Sequence, residues 1–268
     1  MASRLREQFA NLLGPDDPSP VGVRNGEALS PFMIICDHAG NAVPAALNDL
    51  GLPRHELERH IGYDIGILGV SERLSDLLGA PLVYQPYSRL VAECNRLTTA
   101  PDSIALMSDG TSVPGNADLD ANARHARMTE IVQPYHREIV TRLDARAAAN
   151  AQTILISMHS FTPSLLARPS PRPWQIGLCY GDDRRFTNPV LAVLDREPGL
   201  TVGRNEPYGV NMEKDYSIPI HGEKRGLPYA EIEIRQDLIA GKSGQKAWAE
   251  RMNRAFREAY HDFTGGPL

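Results

Sequence analysis

The chain has 268 residues, 42% of them hydrophobic and 23% charged, with a formal net charge of −5. That length and balance suit one large α/β domain or two small ones and exclude a disordered chain. A negative charge gives no general attraction to nucleic acid or to an anionic membrane, and no apolar run reaches the roughly 18 residues that span a bilayer, so neither partner is expected.

The first 30 residues read as an amphipathic helix followed by a Pro/Gly-rich arm, "GPDDPSPVGVRNGEALSP", packed on a domain of residues 31–268. The start, "MASRLREQFANLLGPDD", has no continuous apolar core, so no secretory signal is expected. The cysteines at 36, 94 and 179 form neither a CxxC pair nor an even disulfide set, and a reducing cytoplasm is the expected location.

A strand near 32–37 comes first and runs into "CDHAGNAVP". "LPRHELERHIGYDIGILGVSERLSDLLGA" has helix-like spacing, with Ile65, Leu68, Val70, Leu74 and Leu77 facing inward. "PLVYQ" and "RLVAEC" read as strands, and a long polar loop covers about 97–120. Residues 121–150 predict a strong helix with Asp118 and Asp120 near its start. "TILISMHS" and "WQIGLCYG" read as buried strands. "NPVLAVLDRE" reads as a helix with Pro189 in its first turn. A Pro/Gly/Asn-rich loop spans about 204–222. "LPYAEIEIR" is a strand, and "GQKAWAERMNRAFREAYHDF" is the closing helix. Short apolar strands alternating with helices predict a single α/β domain: a mixed, mostly parallel sheet with helices on both faces. Such sheets keep their chemistry beyond the carboxyl ends of the strands.

Those strand ends carry the chemistry-bearing residues. The first delivers Asp37 and His38, and "TILISMHS" delivers His159 and Ser160. Two imidazoles beside small residues make His38 and His159 the natural metal pair, and a catalytic zinc needs about three protein ligands and one open position. The third ligand stays open between Asn41 and Asp64. Asp64, in "YDIG", reads equally well as a helix N-cap. Asp37 is a candidate to orient a ligand histidine from behind. "EIEIR" alternates, so Glu231, Glu233 and Arg235 share one face and offer a general base. Arg89, Asn95 and Arg96 in "SRLVAECNR" read as a carboxylate receptor, since guanidinium grips carboxylates with a fork. Tyr208 and His221 sit in the late loop and are candidates to close over substrate. Ser160 has no GxSxG elbow to support a serine hydrolase.

The ordered segments "CDHAGNAVP", "YDIG", "YSRLVAECNR", "SMHSFTP", "NEPYGV" and "AEIEIRQDL", across about residues 33–238, resemble the N-formylglutamate amidohydrolase family. That family in turn is similar to the zinc carboxypeptidase and aspartoacylase group, which implies the phosphorylase/hydrolase-like α/β fold and one zinc per chain, or another divalent metal in its place. The resemblance implies His38 and His159 as ligands, Arg89, Asn95 and Arg96 on the substrate carboxylate, and Glu233 with Arg89 as catalytic residues. It implies a metal-dependent amidohydrolase of amino-acid metabolism, cleaving an N-acyl acidic amino acid such as N-formyl-L-glutamate to formate and glutamate. The sequence departs from the wider group at Asn41, where a ligand glutamate is usual, and has "CDHAGN" in place of "PHSG". Those departures keep two alternatives in view: a carboxypeptidase-like hydrolase of a peptide or cell-wall amide, and a non-catalytic carboxylate-binding relative.

Overall fold

The computed structural model describes residues 11–268. The expected N-terminal helix, where it falls on residues 1–10, lies outside them. Among the described residues a seven-stranded sheet is formed by β1 (Gly22–Arg24), β2 (Phe32–Cys36), β3 (Leu82–Tyr84), β6 (Ile154–Phe161), β7 (Ile176–Cys179), β8 (Val202–Arg204) and β9 (Tyr229–Arg235). A separate two-stranded ribbon joins β4 (Met107–Ser108) to β5 (Thr111–Ser112). The strand order is β1-β3-β2-β6-β9-β7-β8. β3, β2, β6 and β9 run parallel; β1 and β7 pair antiparallel with β3 and β9 respectively. This is the mixed, mostly parallel α/β sheet the sequence predicts. The arm's described part supplies the edge strand β1.

The run "FMIIC" is apolar at every position because both faces of β2 are covered. Phe32, Ile34 and Cys36 pack with α2 (Ile67–Leu78), α5 (Thr187–Leu194) and α6 (Lys242–Thr264). Met33 and Ile35 pack on the other face against the helix that follows the polar loop. That helix opens at Asp120, whose carboxylate accepts from Ala123 N at 2.7 Å, and runs as α3 (Ala121–Arg127). It continues through a π-turn (Met128–Val132) into α4 (Gln133–Ala148). The π-turn has a local cause. Pro134 has no N–H to offer the carbonyl of Glu130, and Gln133 N donates instead to Met128 O, five residues back.

Two expectations are corrected. The stretch 52–80 is not one helix: a single turn, α1 (Arg54–Leu57), and α2 are separated by a tight turn at 58–66. Gly66 breaks the helix with φ +80°, and a Cβ there would meet Ile239 O at 2.1 Å, so only glycine fits. The stripe of α2 is accordingly Ile67, Val70, Leu74 and Leu78, while Leu77 is exposed. The second correction is "RLVAEC", which is a buried loop and not a strand. Its backbone is satisfied piecemeal rather than by a ladder: Val91 N donates to Ser88 O and Glu93 N to Ser103 O. Its carbonyls are taken by side chains, Leu90 O by Asn116, Val91 O by Arg127 and Cys94 O by His136.

Candidate active site

Period-two geometry sets the site on one face of the sheet. In β6, Ser157 and His159 lie on the same side as Leu155, toward α4. In β9, Glu231 and Glu233 lie on the side of Tyr229, also toward α4. The parallel register sets Ser157 beside Glu231 and His159 beside Glu233. β2 ends one strand away and hands over Asp37 and His38, and the turn before α2 brings in Asp64, whose N–H donates to His38 O at 3.0 Å. These residues line or back a hollow of about 640 Å³.

His38, Asp64 and His159 converge. One donor atom from each lies within 4.8 Å of the others, all three residues are buried, and the imidazole centroids are 5.1 Å apart. Both rings turn Nδ1 toward Asp64 Oδ2, at 3.4 Å from His38 and 3.0 Å from His159. The far nitrogens are backed by acids: His38 Nε2 meets Glu93 Oε1 at 2.5 Å, and His159 Nε2 faces Asp37 Oδ2 at 3.4 Å. Two imidazole nitrogens and a carboxylate oxygen, with each ring anchored from behind, form a donor set that fits a divalent cation. Asp64 is not the N-cap of α2, since Gly66 holds that position and its cap has no side-chain bond. Ser160 N donates to Asp64 Oδ2 instead, at 3.1 Å.

The electrostatics fit the same picture. Burial works against ionised Asp37, Asp64 and Glu93, yet the neighbouring histidines, and Arg89 for Glu93, hold all three below the usual carboxylate range. Burial also opposes charge on His38 and His159, but the acids around them outweigh it and raise both. Glu231 and Glu233 go the other way. Burial pushes Glu231 up to about 7. It pushes Glu233 up to about 8, where His159 pulls back and Asp64 and Glu231 push further. Glu233 Oε2 is buried with no hydrogen-bond partner among the described residues. The cluster thus holds one anionic set around the imidazoles and two easily protonated carboxyls, Glu231 and Glu233, beside them.

Arg89, Asn95 and Arg96 all line the hollow. Arg89 forks onto Glu93, with contacts of 2.6 and 2.8 Å, and reaches Asp64 at 3.5 Å. Arg96 is held by Asp215 at 2.5 Å and Asp102 at 3.2 Å. Asn95 Oδ1 accepts from Tyr216 N and Ser217 N, which leaves its NH2 group for a ligand. Tyr208 lines the rim, half exposed, with the Arg172 guanidinium over its ring at 4.9 Å. Two sequence candidates are not brought to the cluster. Asn41 turns its amide away to donate to Leu57 O at 3.1 Å. His221 is sealed behind the site against His136, ring nitrogens 3.0 Å apart, and cannot close over anything.

Sequence reasoning missed Glu93 as a site residue. Its signal was its position, four residues after Arg89 and two before Asn95, which even in a strand would have set all three on one face. The turn puts it between Arg89 and His38. Asp37 backs an imidazole as the sequence suggests, but the ring is that of His159 and not of its neighbour His38.

Residues 30–240 match the model of the N-formylglutamate amidohydrolase family. Among solved structures, a gene product of Agrobacterium tumefaciens is 33% identical with a TM-score of 0.89, over 94% of this chain and 98% of that one. An N-formylglutamate amidohydrolase from Ralstonia eutropha JMP134 is 20% identical with a TM-score of 0.70, over 93% of this chain and 100% of that one, a likeness of fold. No curated protein matches the sequence.

Proposed function

From the chain's membership in the N-formylglutamate amidohydrolase family we propose that it hydrolyses the amide bond of an N-acylated amino acid with the help of a zinc-class cation, N-formyl-L-glutamate being the first substrate to test. The observation that carries this reading is the carboxyl of Glu233, its Oε2 without a hydrogen-bond partner among the described residues, in register beside His159 in the hollow that also holds His38, Asp64 and the two arginines.

His38, Asp64 and His159 would hold the cation, and Glu93 and Asp37 would aim the two imidazoles. When bound, the cation supplies Lewis acidity at the acyl carbonyl and at the attacking water. Arg89, Arg96 and the Asn95 amide hold the substrate's carboxylate and fix its distance from Glu233, which converts an encounter into an oriented reaction. Glu233 takes one proton from the attacking water as the carbon–oxygen bond forms. It then gives that proton to the departing nitrogen as the carbon–nitrogen bond breaks, so one water is consumed and an acid and a free amine leave. A carboxyl already raised by burial is suited to hold a proton between those two events.

The test is amine release from N-formyl-L-glutamate by purified protein, before and after chelation and with zinc restored. Turnover should vanish with chelator, return with zinc, and fall by roughly 10²–10⁴-fold in Glu233→Gln. Turnover indifferent to chelation would remove the cation, and no turnover of any acylated amino acid would remove the reaction. A second reading has one observation in its favour. About 640 Å³ lies in the range of about 300–1,000 Å³ that drug-sized ligands fill, more than a formylated amino acid needs. Longer acyl groups and short peptides therefore belong in the same panel.

A further inference from the structure

Behind His159 lies a layer of hydroxyls that the reaction above does not use. Asp37 is fully buried, and its two oxygens are treated differently. Oδ1 accepts from Tyr135 Oη at 2.6 Å and from Ser217 Oγ at 2.8 Å. Oδ2 has no hydrogen-bond partner among the described residues and faces His159 Nε2 at 3.4 Å. Tyr135 and Ser217 are themselves wholly buried. The contrast with His38 matters. Its backing acid, Glu93, is held by the charge of Arg89 and by Asn95 N. Asp37 has no such cation from Lys or Arg among the described residues, so its aim depends on two neutral hydroxyls.

A competitor sits at the same imidazole nitrogen. Ser157 Oγ lies 3.1 Å from His159 Nε2. If Nε2–H donates to Asp37, Nδ1 is left as a bare lone pair facing Asp64, fit to take a cation. If the Ser157 hydroxyl donates to Nε2, the proton of a neutral ring sits on Nδ1 and the lone pair is lost. Which tautomer forms depends on whether Asp37 is kept in place.

We propose that Tyr135 and Ser217 are positioning residues that pin Asp37 and thereby select the His159 tautomer able to bind the cation. The inference rests on the metal-site reading above and extends it by one layer. Both hydroxyls come from unusual backbone. Tyr135 follows the π-turn Met128–Val132, and Ser217 opens a second one, Ser217–Gly222. π-turns are rare and gather at functional sites; here both deliver a hydroxyl to one carboxylate oxygen. The two segments are locked together by Tyr216 stacked on His136, ring centroids 4.0 Å apart, and by the His136–His221 contact. The Tyr216 and Ser217 N–H groups also hold Asn95, so one short segment braces the carboxylate receptor and the metal ligand together.

The experiment measures zinc affinity of the metal-free chain by competition with a chromophoric chelator, with thermal melting as the control for folding. Tyr135→Phe and Ser217→Ala should each weaken zinc binding by roughly 3–10-fold, and the double variant by roughly 10–100-fold, the usual reach of groups that support a ligand from behind. Ser217→Thr, which keeps the hydroxyl, should stay within about twofold of wild type. Adding Ser157→Ala to the double variant should restore part of the affinity, because the competing donor is gone. A merely structural role for the hydroxyls would not produce that recovery. A folded double variant with wild-type zinc affinity overturns the proposal, and so does the absence of recovery on Ser157→Ala. Should the double variant fail to fold, Tyr135→Phe alone decides, and wild-type affinity there overturns it. Zinc uptake by the wild type with no change in the variants defeats this inference only; no uptake by the wild type defeats the metal site with it.

Discussion

At the scale of single residues, the two carboxyls of β9 are costly and their cost has a sign. Glu231 is raised from 4.5 to about 7 by burial. Below pH 4.5 both folded and unfolded chains keep its proton, and it costs nothing. As pH rises toward 7 the unfolded chain ionises and the folded chain does not, so stability falls, and above 7 the loss is complete. Glu231→Gln should therefore stabilise the metal-free chain at about pH 8.5, by on the order of 3 kcal/mol at most, and change little at pH 4.5. Denaturant melts of wild type and variant at the two pH values check this, and an equal gap at both would contradict it. The lowered carboxyls work in the opposite window. Asp37, Asp64 and Glu93 stabilise the fold above their ordinary range and lose that contribution as the solution turns acid.

At the scale of elements, legibility followed periodicity. β2, β6 and β9 were readable because a buried strand is an apolar run or a strict alternation, and residues at their ends then had few directions to point. The loop Arg89–Cys94 was not, since its run of Leu90, Val91 and Ala92 mimics a strand while its hydrogen bonds go to distant side chains. Arg127 is the clearest example. It is buried, and its guanidinium donates to Val91 O, Gly115 O and Asn116 Oδ1 at 3.1, 2.8 and 2.5 Å, with no carboxylate partner among the described residues. Burial and nearby Arg124 push it down to about 10. Nothing in "ANARHAR" tells this arginine from its neighbours, because the loop it supports is far away in sequence. Arg127→Met leaves those oxygens unpaired. It should cost about 2–4 kcal/mol of stability, read from chemical unfolding. A loss below about 0.5 kcal/mol would mean that the loop carries its own weight.

At the scale of the whole molecule, the sequence conveyed the architecture and the meeting of His38 with His159. The same strand-end logic that builds a mostly parallel sheet also gathers its functional residues. What it could not convey is the layer behind them. Asp37 could be read as an aim for a histidine, but which ring it meets, and the places of Glu93, Tyr135 and Ser217, depend on distances between elements that no local pattern encodes. Among the described residues no helix is long and apolar enough to cross a membrane. A cation held by three elements (the end of β2, the turn before α2, and β6) should brace the fold as a unit. Zinc at about a hundredfold over its dissociation constant adds about 2.7 kcal/mol and should raise the melting temperature by roughly 5–10 °C. His159→Ala should abolish that rise, and an equal rise in both proteins would place the zinc elsewhere.

The most direct test of the account is the metal content of the full chain, purified from zinc-supplemented cells and measured by elemental analysis beside His38→Ala and His159→Ala. The account predicts about one zinc per wild-type chain and a small fraction of that in either variant. A wild-type chain without metal, or variants that keep the wild-type content, would contradict it.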